Sequence, residues 1–271
     1  MAKSTLEPVA ELISAIINSS FSTGIVPAEL KIESVTPICL FKQGDYHLMT
    51  NYSPTCISVL PFTAKLMEKA IANRLTAYVE KLELLSPMQF GFRKHHSTEM
   101  ALIKIQDMIT KAIDNKKHSL GIFIDLAKAF DTVDHSILIK KLNNYGVRGV
   151  PLVWFRNYLD ARYQRVRCNG ALSESRLITY GVPQGSNLGP LLFLLCINDL
   201  TNVSQALKLV LFADDTTAFL EHSSLAELEI QANSELQKLA EWFKANKLSL
   251  NVSKTCYMSF TSSKKKGSSY L

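Results

Sequence analysis

Apolar positions recur at helical spacing in four stretches of the chain. Residues 8–19 place Leu12, Ile13, Ile16 and Ile17 on one side, with Pro8 suited to a first helical turn. Residues 62–83 carry Ile71, Leu75, Tyr78 and Leu82, and residues 97–114 carry Leu102, Ile105, Ile109 and Ala112. The fourth, 224–244, opens with Ser224-x-x-Glu227, a capping box. Leu225, Leu228, Ala232, Leu236, Leu239 and Phe243 follow down one face. Between the helices lie strand-like runs at 35–41, 120–124, 164–168, 207–212 and 255–260. Helices and strands alternate irregularly, and several strand pairs read as hairpins. The pattern predicts an α+β fold over a doubly wound sheet.

Composition narrows the class. The chain has 271 residues and is 47% hydrophobic and 20% charged, which is globular and excludes general disorder. Its longest apolar run, near 188–197, is about ten residues, and a membrane helix needs about 20, so no membrane partner is expected. Five dispersed cysteines without a C-x-x-C pair argue against a disulfide framework or a structural zinc site. With no signal-like N-terminus, they predict an intracellular protein of nucleus or cytoplasm, not a secreted one. The net charge of +6 leans toward a polyanionic partner.

Three stretches hold residues that local structure does not demand. Asp125 ends the apolar strand Phe123-Ile-Asp, where a carboxylate suits a cation better than a core. Asp214-Asp215 interrupt an apolar run of two strand-like halves, which reads as a hairpin with acids at its tip. Gly181-Val-Pro-Gln-Gly-Ser-Asn-Leu-Gly-Pro is a Gly/Pro-rich loop leading into an apolar helix at 191–197. Singly, each has an ordinary alternative as a cap, an Asx turn or a connection. Together they suggest more. Carboxylates brought close repel one another unless a cation neutralises them, hard oxygen ligands select Mg²⁺, and paired Mg²⁺ ions serve in-line phosphoryl transfer.

These stretches resemble the palm motifs of reverse transcriptases, most closely those of non-LTR (LINE-like, jockey-type) retrotransposons. The motifs are Phe123-Ile-Asp-Leu-x-Lys-Ala-Phe-Asp, Gly181-Val-Pro-Gln-Gly-Ser-x-Leu-Gly-Pro and Phe212-Ala-Asp-Asp. Gln89-Phe-Gly-Phe-Arg-Lys, Asn51-Tyr-x-Pro and Leu248-Ser-Leu-Asn-Val-Ser-Lys-Thr resemble further motifs of the family, in the same order, over about residues 10–260. The resemblance implies that Asp125, Asp214 and Asp215 hold two Mg²⁺ ions, with Mn²⁺ possible. It implies that Lys254 protonates the leaving pyrophosphate, that Phe130 excludes a 2′-hydroxyl, and that Gln184 and Gly185 line the nucleotide pocket. Lys42 would meet the triphosphate. Arg93, Lys94, Arg162, Arg165 and Arg167 are expected to contact template or primer phosphates. The implied partners are an RNA template, a DNA primer and dNTP.

The implied architecture is that of a right-hand polymerase. It comprises a fingers region at 1–118, a palm at 119–260 with an antiparallel sheet backed by helices, and a basic flexible tail at 261–271. A thumb is not expected in this stretch. The expected activity is RNA-templated DNA synthesis; the competing expectation is a decayed or co-opted fragment that folds and binds RNA without polymerising. Three departures from the family's pattern stand out. Ser53 occupies the place of an arginine, two residues are inserted before Ile57, and His95 replaces a glycine. Serine offers no paired contact to phosphate, so weak nucleotide affinity is expected.

Overall fold

The computed structural model describes residues 2–41, 43–48, 51–168 and 170–261, with the backbone alone described at 2–7, 37–40 and 52–58. Lys42 and the tail at 262–271 lie outside the described residues. The chain forms two compact units, Met1–Leu82 with Phe130–Leu192 and Glu83–Ala129 with Phe193–Leu271.

The first unit is built on a sheet of β1 (Ile32–Phe41), β2 (Tyr52–Val59), β4 (Arg162–Cys168), β5 (Ala171–Leu172) and β6 (Arg176–Ile178). β1 pairs antiparallel with β2 and parallel with β4, and β5 and β6 both fold back antiparallel on β4. Its helices are α1 (Ala2–Thr23), α2 (Phe62–Lys81), α4 (His135–Asn144) and α5 (Val150–Leu159). Trp154 of α5 fixes α1: its ring meets Phe21 edge-on, and its Nε1 donates to Ser20 Oγ at 2.9 Å. α1 begins before the expected first turn at Pro8, which lies inside the helix. Proline's fixed φ is itself helical, so the exposed helix runs through it at the loss of one hydrogen bond.

The second unit is a four-stranded antiparallel sheet, ordered β7 (Lys208–Phe212), β8 (Asp215–His222), β3 (His118–Ile124), β9 (Cys256–Phe260). α3 (Thr98–Asp114) and α7 (Leu225–Ala245) pack on it. Phe90, Ala101, Met108, Ala112, Val210 and Phe219 form one buried cluster of its core. α6 (Gly189–Ile197) carries the chain from one unit into the other.

Mixed helix and antiparallel sheet bear out the α+β expectation. The contacts nevertheless divide the chain differently from a single cut near residue 118. β3 finds its partners in β8 and β9, and residues 83–114 pack with β7, so 83–129 joins the C-terminal part. Residues 130–192 return to the N-terminal part because β4 lies beside β1. Among the described residues no helix is long and apolar enough to cross a membrane, and Cys168, Cys196 and Cys256 are free thiols.

Candidate active site

In the second unit, sheet register brings the acids together. β3 pairs with β8 up to Ile124 opposite Thr216, so the next step sets Asp125 beside Asp215. β7 and β8 close at Phe212 opposite Asp215, leaving Ala213 and Asp214 as a two-residue turn. Ala213 takes a left-handed φ of +56°, as a tight hairpin requires.

The turn is gripped by residues 88–91. Phe90 N donates to Leu211 O, and Leu211 N donates to Met88 O, both at 2.8 Å. The buried Gln89 side chain then wraps Ala213. Its Oε1 accepts from Ala213 N at 3.0 Å and Gly91 N at 2.8 Å, and its Nε2 donates to Ala213 O at 3.4 Å. Gly91 allows this approach, since a Cβ there would stand 2.2 Å from Ala213 N.

Asp125 is held from the other side by residues 249–255. Its N–H donates to Thr255 Oγ1 at 3.3 Å, and its C=O accepts from Asn251 N at 2.8 Å. The same strap brings Lys254 Nζ to 3.7 Å from Asp125 Oδ2. Lys254 is mostly exposed, so the pair adds at most about 1 kcal/mol to stability.

Half-burial pushes the Asp214 carboxyl above its ordinary range, and the like charges of Asp215 and Asp125 push it further. A divalent cation would offset that repulsion, and all three donors are hard oxygens, so the residues fit Mg²⁺ by chemistry. Among the described residues no group of three His, Cys, Asp or Glu stands already gathered for an ion.

In the first unit the Gly/Pro loop lies along residues 130–134. Val182 N donates to Phe130 O at 2.9 Å, and Gly181 N to Val133 O at 2.8 Å. Gly181 has φ +87°, and a Cβ there would meet Asp131 main chain at 2.8 Å. Gln184 Nε2 donates to Asp131 Oδ1 at 2.9 Å, and Gly185 follows with φ +82°. Gln184, Asp131, Tyr180, Glu33 and Arg162 border a cleft of about 250 Å³.

Comparison with known proteins decides what this assembly is. The reverse transcriptase (RNA-dependent DNA polymerase) family profile matches residues 42–271. The chain belongs to the reverse transcriptase family. It is 30% identical over 258 residues to the RNA-directed DNA polymerase from mobile element jockey of Drosophila melanogaster, covering 92% of this chain and 28% of that protein. It is 34% identical over 224 residues to a probable RNA-directed DNA polymerase from transposon BS of the same species, covering 78% and 24%. The domain thus spans about a quarter of these relatives' length. A solved Candida tropicalis telomerase aligns with TM-score 0.59 at 11% identity, over 91% of this chain and 52% of that one, a likeness of fold.

Within this reverse transcriptase domain the basic residues part company. Arg162 is not a surface phosphate contact. It is 2% exposed, and its Nε and one terminal nitrogen donate to Glu33 Oε1 at 3.2 and 3.1 Å, because β4 turns this position inward. Arg93 caps its own loop, donating to Ser86 O at 2.8 Å and Gln89 O at 3.1 Å. Lys94 and Arg167 are exposed and Arg165 is half-buried. The sequence marks Gln89 and Gly91 only as part of a motif; their support of the acidic turn depends on contacts with Ala213, which the sequence does not show.

Proposed function

We propose that this reverse transcriptase domain extends a DNA primer on an RNA template by nucleotidyl transfer from dNTP. The observation that supports this reading is the acidic sheet end, where register sets Asp125 beside Asp215 with Asp214 in the adjoining turn. These three carboxylates would hold a pair of Mg²⁺ ions, or Mn²⁺ in their place. Metals held there would supply positive charge to acidify the attacking 3′-hydroxyl and to balance the departing pyrophosphate. Lys254, tethered beside Asp125, is the proton source for that leaving group. Gln184 and Gly185 bind the nucleotide, and Phe130 bars a 2′-hydroxyl. Exposed Lys94 and Arg167 meet template or primer phosphates.

Primer extension on a homopolymer RNA template tests this. The domain should extend the primer with dNTP and Mg²⁺, stop when a chelator is added, and use NTP poorly. Absence of extension across Mg²⁺ and Mn²⁺ concentrations would overturn it.

A further inference from the structure

Glu68 is the polar exception on the buried face of α2, where Ala64, Met67, Ala72, Leu75 and Val79 surround it in sequence. A carboxylate there is costly unless its oxygens are satisfied. Both are, by neutral donors. Tyr158 hydroxyl donates to Oε1 at 2.6 Å, and Asn187 N donates to Oε2 at 2.9 Å. Glu68 thus joins α5 to the loop that carries Gln184.

The loop is tied at several points on that side. Asn187 Nδ2 donates to Lys65 O at 3.0 Å, one turn back on α2, and Tyr158 also hydrogen-bonds Ser186. Ser186 N donates to Pro183 O, and Gly189 N to Ser186 Oγ. Gln184, three residues before Asn187, faces the other way, to Asp131. The buried Arg162–Glu33 pair completes the frame: Arg162 lies 4.9 Å over the Tyr158 ring and donates to Tyr158 O. Burial pushes the Glu68 carboxyl above its ordinary range, opposed by its bonds from Tyr158 and Asn187. Burial, then Glu68, hold the Tyr158 phenol well above its own range, so it remains a donor.

We propose that Glu68 is a positioning residue, which fixes the Gln184 loop by holding Asn187 and Tyr158 on its two oxygens. The inference rests on Gln184 being a nucleotide-side residue, as proposed above, and the test separates the two. Glu68→Gln keeps the volume but presents one acceptor and one donor to two donors. Hydrogen exchange of the 182–188 segment in the whole chain should speed up about tenfold, a factor equal to about 1.4 kcal/mol, while the rest of the chain keeps its rates. KM for dNTP should rise by a similar factor with kcat changed less than about threefold. Tyr158→Phe, which removes only the hydroxyl, should shift both in the same direction and by less.

Unchanged loop exchange and KM in both variants would overturn the proposal. Exchange that rises everywhere with a fall in Tm would also overturn it, since Glu68 would then support the fold generally. If the natural chain extends no primer, the catalytic reading fails, and the exchange arm by itself decides whether Glu68 anchors the loop.

Discussion

Gly91 illustrates how a single atom decides whether the acidic turn can form. Its backbone angle asks for no glycine; the proximity of Ala213 does. An added Cβ would stand 2.2 Å from Ala213 N and 2.9 Å from Phe212 C, both main chain that cannot rotate away. Overpacking costs about 1–3 kcal/mol, and each kcal/mol lowers Tm by about 2–4 °C in chains near this size. Gly91→Ala should therefore lose several degrees in a melting scan and most of its extension activity, because Asp214 moves with the turn. Natural Tm and activity in that variant would show the clamp to be dispensable. Asp214 makes the opposite prediction for stability. Its folded carboxyl sits above its ordinary value of 3.8, so the ionised form costs stability at neutral pH. That cost fades as pH falls through the folded value and is gone below the ordinary one. Asp214→Asn, in chelator, should melt at or slightly above the natural chain at pH 7, and the gap should close on acidification. A large loss of Tm at pH 7 would mean that the acid is structural. At this scale the acids were legible in the sequence because a carboxylate in an apolar run is conspicuous. Glu68 was not, and of Gln89 only the motif was, because what each holds lies far along the chain, at Asn187 and Ala213.

Elements show the same division between local and distant causes. α2, α3 and α7 fall where their periodicity put them, since an amphipathic stripe needs only one buried side. α7 begins at the expected cap: Ser224 Oγ accepts from Glu227 N, although the other half of the box is taken by His222, whose Nδ1 accepts from Ser224 N. Ser224→Ala should cost about 1 kcal/mol, or about 2–4 °C in Tm, with kcat and KM untouched. A cost below about 0.3 kcal/mol would mean that His222 alone holds the start of the helix. α4 and α5 were not anticipated. Gly146 and Gly149 cut their stretch into two ten-residue helices, too short for a clear period. β2 was missed too. Its register on β1 runs unbroken from Phe41–Tyr52 to Ser34–Val59, with Ser53 opposite Leu40.

For the whole molecule, the sequence conveyed fold class and family but not how the segments interleave. Strand pairing between β3 and both β8 and β9 is non-local, and no periodicity announces it. The same non-local pairing builds the proposed site, because register sets Asp125 beside Asp215, next to the turn that carries Asp214. The central claim is that this acidic sheet end drives RNA-templated DNA synthesis. One paired measurement addresses it: extension of a labelled DNA primer on a heteropolymeric RNA template, by the natural chain and by Asp214→Asn prepared alongside. The natural chain should make a product complementary to the template. The variant, equally folded, should be slower by about a thousandfold or more, the equivalent of about 4 kcal/mol of lost transition-state stabilisation. Equal extension by both would contradict the account, because Asp214 would then have no part in the reaction.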